Sequence, residues 1–415
     1  MKPPIRRTIV PLTIAALAGG ACADSSDPAP APPEESTPDF ETPDTAGVPI
    51  VENARPPADS RLGWRIGEQP ALSIGEIDGP DPYLLDISDV LRMPDGRIIV
   101  ADRASGELRA FDTLGIHLAT WGGSGEGPGE FINLISVDRW PGDSLVARWS
   151  QGNRLTVFDS QGNYGRVFAM QDQVRISVET VLPGGLVVGS RLDPTEDSQP
   201  GLSRSRSIYE IRGPEGEPGP PIGSFLGSEW YSPPVEDGVM VIGIPFSRGD
   251  VVVPWGGDVI VGSDDNYEFR VYATDGTLKR IVRREHDLIP TTPAHLDALI
   301  ERRVAGSPEP ERAARRREEQ ERYEDVRLPE THPAFNRVRA DALNHLWVQE
   351  YALPGEGGPN PVWTVFDPEG HVLGFMETPA GLRIFQIGED YILGYATDEL
   401  GVEYVQVWSL SRSGG

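Results

Sequence analysis

The chain has 415 residues, 38% of them hydrophobic, with 47 Gly and 40 Pro, a composition that suits a large turn-rich domain and excludes a helical bundle. Its net charge of −27 excludes a basic, phosphate-binding nucleic-acid face and docking on an anionic membrane surface. A single Cys excludes a disulfide within the chain and any multi-cysteine metal cluster.

Residues 1–22 have the layout of an export leader: Lys2, Arg6 and Arg7, then a short apolar run over Thr8–Ala18, then small residues ending at Cys22. That run is too short to span a bilayer. The leader resembles a bacterial lipoprotein signal, which implies lipid attachment at Cys22. Gly19 stands where that pattern prefers Leu, and Ala21-Cys22-Ala23 also reads as an ordinary A-x-A cleavage site that would release a secreted protein. Residues 23–60 are rich in Pro, Ala, Ser, Thr, Asp and Glu, with no basic residue before Arg55. Such a composition predicts a disordered acidic tether. No later segment is apolar enough to cross a membrane, so membrane contact is expected only through the anchor.

From residue 61 to 412 the chain repeats. Residues 86–131 read as four short strands separated by turns at Pro94-Asp95-Gly96, Arg103–Gly106 and Asp112–Gly115. One such unit cannot bury both faces alone, so copies must stack beside it. Second strands recur as GRIIVAD, DSLVARW, GGLVVGS, GDVIVGS, NHLWVQE and DYILGYA. Third strands end on Phe111, Phe158, Tyr209, Tyr272, Phe366 and Trp408, and first strands form a matching set. Three registers agree on six units. The prediction is an all-β, six-bladed β-propeller of four-stranded antiparallel blades. The last unit lacks an outer strand, and Pro70–Ile74 before the first unit can supply it and close the ring. Leu192–Arg206 and Gly213–Glu236 read as polar loops. Residues 286–332 form a helical insertion after blade 4. Its first helix is capped by Thr292-Pro293 and carries a stripe of Leu296, Leu299, Ile300 and Val304; its second, near Glu311–Glu324, is almost all Arg and Glu.

The PDG turn, the hydrophobic-V-A-D strand of Ile98–Asp102, the F-D-x-x-G turn of Phe111–Gly115 and the inter-unit GGSGEGPGEF together resemble an NHL-repeat blade. With the leader and the helical insertion, the chain resembles the bacterial six-bladed β-propeller lipoproteins of the NHL-like group. The resemblance implies a binding scaffold in the cell envelope, facing the periplasm or exterior, and implies no catalytic residue.

The candidate sites follow from that frame. GGSGEGPGEF lacks the order of a phosphate loop and leads into a strand, so it is read as a blade connection. Asp112, Asp159, Asp275 and Asp367 recur at or near one turn position and Asp102 at a strand end, which points to backbone bracing. Inner strands bring Asp89, Arg92, Asp138, Arg139, Glu179, Asp250, Arg337, Arg339 and Asp341 toward the channel. No pair of His has metal-ligand spacing, and no nucleophile elbow occurs. No catalytic residue, metal ligand or cofactor is assigned. Ligand contact is expected from Trp149, Arg191, Asp264, Asn266 and Glu350, at or beside second-strand ends. The expected partner is a protein, peptide or glycan. The alternative is a calcium-dependent lactonase or gluconolactonase-like hydrolase, with a channel ion held by such acidic groups.

Overall fold

A computed structural model of the chain describes residues 47–75, 86–149, 154–170, 175–193, 201–233 and 241–412. The leader, Cys22 and most of the expected tether lie outside these residues. Six sheets form a ring, and each is ordered from an innermost strand outward, as a propeller requires. Blade 1 comprises Ile87–Arg92, Ile98–Asp102, Glu107–Phe111 and His117–Gly122. The inner strands of blades 2 to 6 are Leu134–Trp140, Ser177–Leu182, Asp250–Trp255, Phe335–Ala340 and Arg383–Ile387.

The second strands explain the repeated apolar runs. Ile98–Asp102 is buried at every position, because both faces of the sheet are covered. Alternation sends Ile99 and Ala101 into a cluster with Phe131, Leu145 and Phe158 of blade 2, and Ile98 and Val100 into a cluster with Leu393 and Val405 of blade 6. The same holds around the ring: one apolar cluster fills each of the six seams. The third-strand aromatics Phe111, Tyr209, Tyr272 and Phe366 are fully buried, whereas Trp408 is half-exposed.

The turn aspartates brace backbone as expected. Asp112 Oδ1 accepts the amides of Leu114 and Ile116 at 2.9 and 2.8 Å, and Asp159 Oδ1 accepts those of Gln161 and Asn163 at 2.9 Å each. Asp275 accepts from Thr277, and Asp367 from Glu369, Gly370 and His371. Asp102 accepts from Ala104 and Ser105 and pairs with Arg109 at 3.0 Å. The glycine-rich connection carries Phe131 into the seam of blades 1 and 2.

Ring closure by an N-terminal strand is observed and extends further than expected. Leu72–Ile74 pairs antiparallel with Val405–Val407 of blade 6, and Arg65–Ile66 continues that outer position against Leu410 and Ser411. Upstream, Arg61 bridges to Phe375 on the outer edge of blade 5. Ile50–Asn53 lies parallel to Ile281–Arg284 on the outer edge of blade 4. The tether read over 23–60 is therefore too long at its C-terminal end. The four-residue strand IVEN escaped because the Pro-rich composition around it dominates any longer window. The segment 48–74 is a belt over the outer edges of blades 4, 5 and 6. Asn53 clamps two of them: its Nδ2 donates to Arg283 O and Gly370 O at 3.0 and 2.9 Å, and its Oδ1 accepts Val372 N at 2.8 Å.

The two expected polar loops are also corrected. Gly201–Arg212 and Pro218–Ser232 are long antiparallel strands of blade 3, paired from Gly201 opposite Ser232 to Arg212 opposite Pro218. The run SRSRSIYEIR alternates, but toward its first residues both alternating positions are polar, so it carries no hydrophobic period. Ile242–Gly243 adds a fifth strand there. The helical insertion is as expected, with helix α1 at Pro293–Val304 and helix α2 at Glu309–Tyr323. Leu299, Ile300 and Val304 are buried, and Leu296 half-buried. Arg303 ties the helices, donating to Glu319 and to the Tyr323 hydroxyl at 2.7 Å each. No helix among the described residues is long and apolar enough to cross a membrane.

Candidate functional site

The inner strands run the same way around the ring, so their C-terminal turns gather at one end of the channel. There a cavity of ≈ 1060 Å³ opens, lined by residues of all six blades, among them Pro254 near the end of its inner strand and the turns at Pro94, Pro183 and Gly388. Asp89, Arg92, Asp138, Arg139, Glu179, Arg339 and Asp341, placed on or beside inner strands from sequence, all line it. Arg148, Phe385, Gln386 and Tyr391 also line it and were not singled out. Arg148 sits on a second strand but crosses inward, donating to Ser136 Oγ at 3.2 Å and to the Val178 carbonyl of blade 3.

The lining side chains knit the blades together. Asp89 Oδ1 accepts Val90 N at 2.9 Å, while its Oδ2 accepts Val137 N of blade 2 at 3.1 Å. Gln386 Oε1 of blade 6 accepts Arg92 N at 2.7 Å, and the Arg92 guanidinium stacks 4.3 Å over the Tyr391 ring. Ser190 Oγ donates to Glu179 at 2.5 Å, and the Tyr209 hydroxyl donates to Asp250. Asp341 is instead a turn group, accepting from Leu343 and His345 amides and pairing with Arg412 at 2.7 Å.

Burial dominates the electrostatics. It pushes the Asp89 carboxyl up to about 7, helped by the neighbouring Asp138, against the pull of the amides and Arg339. Burial also raises Asp138 to about 6, against Arg148 and Arg339. Glu179 is raised by burial too. Arg339 is held below the usual guanidinium range, first by burial and then by Arg383. Burial at the channel wall therefore favours the protonated forms of Asp89, Asp138 and Glu179.

The five residues expected to contact ligand belong to the other end of the ring, where second strands finish. Trp149 is 3% exposed, sits in the seam of blades 1 and 2, and donates its Nε1 to Thr156 Oγ1 at 3.1 Å. Arg191 is half-buried near the end of Leu186–Leu192. Asp264 accepts Gly249 N at 2.6 Å and is raised to about 7 by burial. Asn266, with Arg206, Ser263 and Asp265, lines a separate hollow of ≈ 220 Å³ between blades 3 and 4. Glu350 pairs with Arg284 at 2.8 Å and accepts hydroxyls of Thr364 and Tyr267 at 2.6 and 2.9 Å. These partners hold Glu350 below the usual carboxylate range despite its burial. Asp264 and Glu350 lie at the junction of blades 4 and 5, whereas Asn266 lines the hollow between blades 3 and 4 and Trp149 and Arg191 sit on blades 2 and 3.

The helical insertion is seated beside that junction. His332, 1% exposed, reaches His295 of α1 at 2.7 Å and the Tyr351 hydroxyl at 3.3 Å. Thr292 N–H donates to His295 Nδ1, so His332 Nε2 is the donor to that ring and its Nδ1 accepts from Tyr351. Burial and His295 lower His332 to about 4, so it is neutral here. Phe246, in the left-handed region at φ 61, presses its ring on His332 with centroids 4.6 Å apart. Among the described residues, no three His, Cys, Asp or Glu side chains are grouped as a metal ion would need.

No protein-family model matches the chain, and no curated protein does. Solved structures do. A Bacteroides fragilis NCTC 9343 protein whose name describes it as exported aligns with 87% of this chain and 99% of its own, at 12% identity and TM-score 0.50. A member of the duf4221 family from Bacteroides vulgatus ATCC 8482 aligns with 84% of this chain and 99% of its own, at 10% identity and TM-score 0.47. A protein named as a gluconolactonase aligns with 90% of this chain and 96% of its own, at 13% identity and TM-score 0.35. At such identities the likeness to the first is one of fold: this chain is a six-bladed β-propeller.

Proposed function

We propose that the chain is an extracytoplasmic, non-enzymatic binding protein of the NHL-like lipoprotein type, held to the membrane through lipidated Cys22. It engages a peptide, protein or glycan at the axis of its ring. One observation carries this reading: all six blades contribute to a single ≈ 1060 Å³ axial cavity, with charged side chains and the Tyr391 ring at its wall. The leader layout and the fold shared with a protein whose name describes it as exported support placement outside the cytoplasm.

The lactonase reading is less favoured. A channel calcium ion needs several converging oxygen ligands, whereas Asp89 and Asp138 share their space with Arg339 and Arg148. The test screens the purified chain against peptide and glycan arrays, then repeats the positives with Arg92→Ala and Tyr391→Ala. A ligand that survives both substitutions unchanged removes the cavity from the proposal, and calcium-dependent lactone turnover replaces the proposal by the alternative. Palmitate labelling that persists in Cys22→Ala removes the anchor.

A further inference from the structure

Arg337 and Arg339 on the inner strand of blade 5, with Arg383 at the start of the inner strand of blade 6, form a cationic cluster. The strand alternates: Val338 enters the seam core, so Arg337 and Arg339 share the opposite side. Arg339 feels Asp89 of blade 1, Asp138 of blade 2 and Arg383 of blade 6, as only a side chain at the axis can. Arg337 faces Arg383 and Arg339. Among the described residues none of the three makes an ion pair. Among the described residues, Arg337 makes no side-chain hydrogen bond, Arg339 donates only to the carbonyl of Val338 at 3.1 Å, and Arg383 donates only to the Tyr395 hydroxyl at 3.3 Å. Arg383 also packs against Phe385 and Tyr395, at 5.6 and 5.8 Å from their ring centres.

This placement costs stability. Three guanidinium groups repel one another, and Arg337 and Arg339 are partly desolvated; Asp89 and Asp138 attract Arg339 from the cavity side, but among the described residues no carboxylate pairs with any of the three. Two other buried arginines do have a carboxylate partner, Arg284 with Glu350 and Arg412 with Asp341. An anion supplied from outside removes the repulsion and meets planar, forked donors. We infer that Arg337, Arg339 and Arg383 form a subsite for the carboxylate of a small acidic ligand. The subsite opens at the channel end opposite the cavity, with Arg339 between the two and the Phe385 and Tyr395 rings beside it. The inference rests on the channel being the binding site and adds the ligand's chemistry.

The test is calorimetric titration and thermal melting of the full chain with D-glucuronate and with N-acetylglycine. Each is set against its neutral counterpart, D-glucose or N-acetylglycinamide, and against inorganic phosphate. Expected is binding and a raised Tm with at least one carboxylate and neither neutral compound; which carboxylate binds separates a sugar acid from a peptide terminus. Arg337→Gln and Arg383→Gln should each weaken that binding roughly ten- to hundredfold, while the unliganded Tm stays level or rises as repulsion is relieved. Equal responses to charged and neutral compounds, or tighter binding of phosphate than of either carboxylate, overturn the assignment. So does a substitution that lowers the unliganded Tm and leaves titration unchanged. If a Gln variant loses fold and binding together, Arg337→Lys decides: restored Tm with binding within tenfold of the parent upholds the subsite, and loss equal to Gln overturns it. Carboxylate binding that drops in Arg92→Ala but not in the triad variants leaves the channel as the site and removes the subsite. Titrations unmoved by either set remove the channel itself.

Discussion

Asp138 shows how one channel residue contributes to the protein's response to pH. Burial raises its carboxyl to about 6, whereas an unfolded chain titrates it near its ordinary value of 3.8. The native state therefore holds the proton to higher pH than the unfolded state does. The stability this group contributes is complete below pH ~4 and is lost as pH rises through ~6. Asp138→Asn is expected to match the parent in urea melts at pH 4 and to exceed it by on the order of 1 kcal/mol at pH 8, the solvated channel limiting the gain. An equal gain at both pH values would show that packing, not ionisation, separates the two. Arg284 makes the opposite case. Its guanidinium lies 3.7 Å over the Tyr267 ring and pairs with Glu350. Arg284→Met leaves that buried carboxylate without its cation and is expected to lower unfolding free energy by about 3–5 kcal/mol. Circular-dichroism melts measure it, and Glu350→Gln in the same background should recover part of the loss.

At the scale of elements, the hydrophobic strands were legible and the polar ones were not. GRIIVAD and its five counterparts could be read directly because both faces of a second strand are buried, so the apolar run is unbroken. Of the inner-strand residues read toward the channel, Asp89, Arg92, Asp138, Arg139, Glu179, Arg339 and Asp341 line the cavity, and Asp250 and Arg337 do not. Arg383 was passed over, although its strand was recognised, because a terminal arginine in LRIFQIG has no sequence signal of its own; only the neighbouring blade reveals its company. Leu192–Arg206 and Gly213–Glu236 read as loops, and the strands Gly201–Arg212 and Pro218–Ser232 run into them, because their alternating positions are largely polar near the tip. Ile50–Asn53 was lost in a Pro-rich tract, and no local pattern discloses that Asn53 bonds residues more than 200 positions away. Asn53→Ala removes three hydrogen bonds between the belt and two blades, and is expected to cost about 1–3 kcal/mol in chemical denaturation. A cost near zero would mean that water replaces them freely.

For the molecule as a whole, six separate seam clusters make each blade depend on its neighbours, and the last seam depends on the start of the chain through Ile74. A chain beginning at residue 47 keeps the whole belt and should melt with the parent. One beginning at residue 76 leaves the outer edge of Glu403–Ser411 bare, and is expected to melt earlier and to associate, as light scattering would detect. The belt also has a mechanical meaning. Tension applied upstream of residue 47 reaches the ring as a series of attachments: first the parallel strand on blade 4, then Arg61 on blade 5, then the two short strands on blade 6. Each must release before the next bears load. The contact that keeps the ring shut is therefore the last to feel a pull from the N-terminal side. The earlier attachments act as fuses that lengthen the released chain while the ring stays closed.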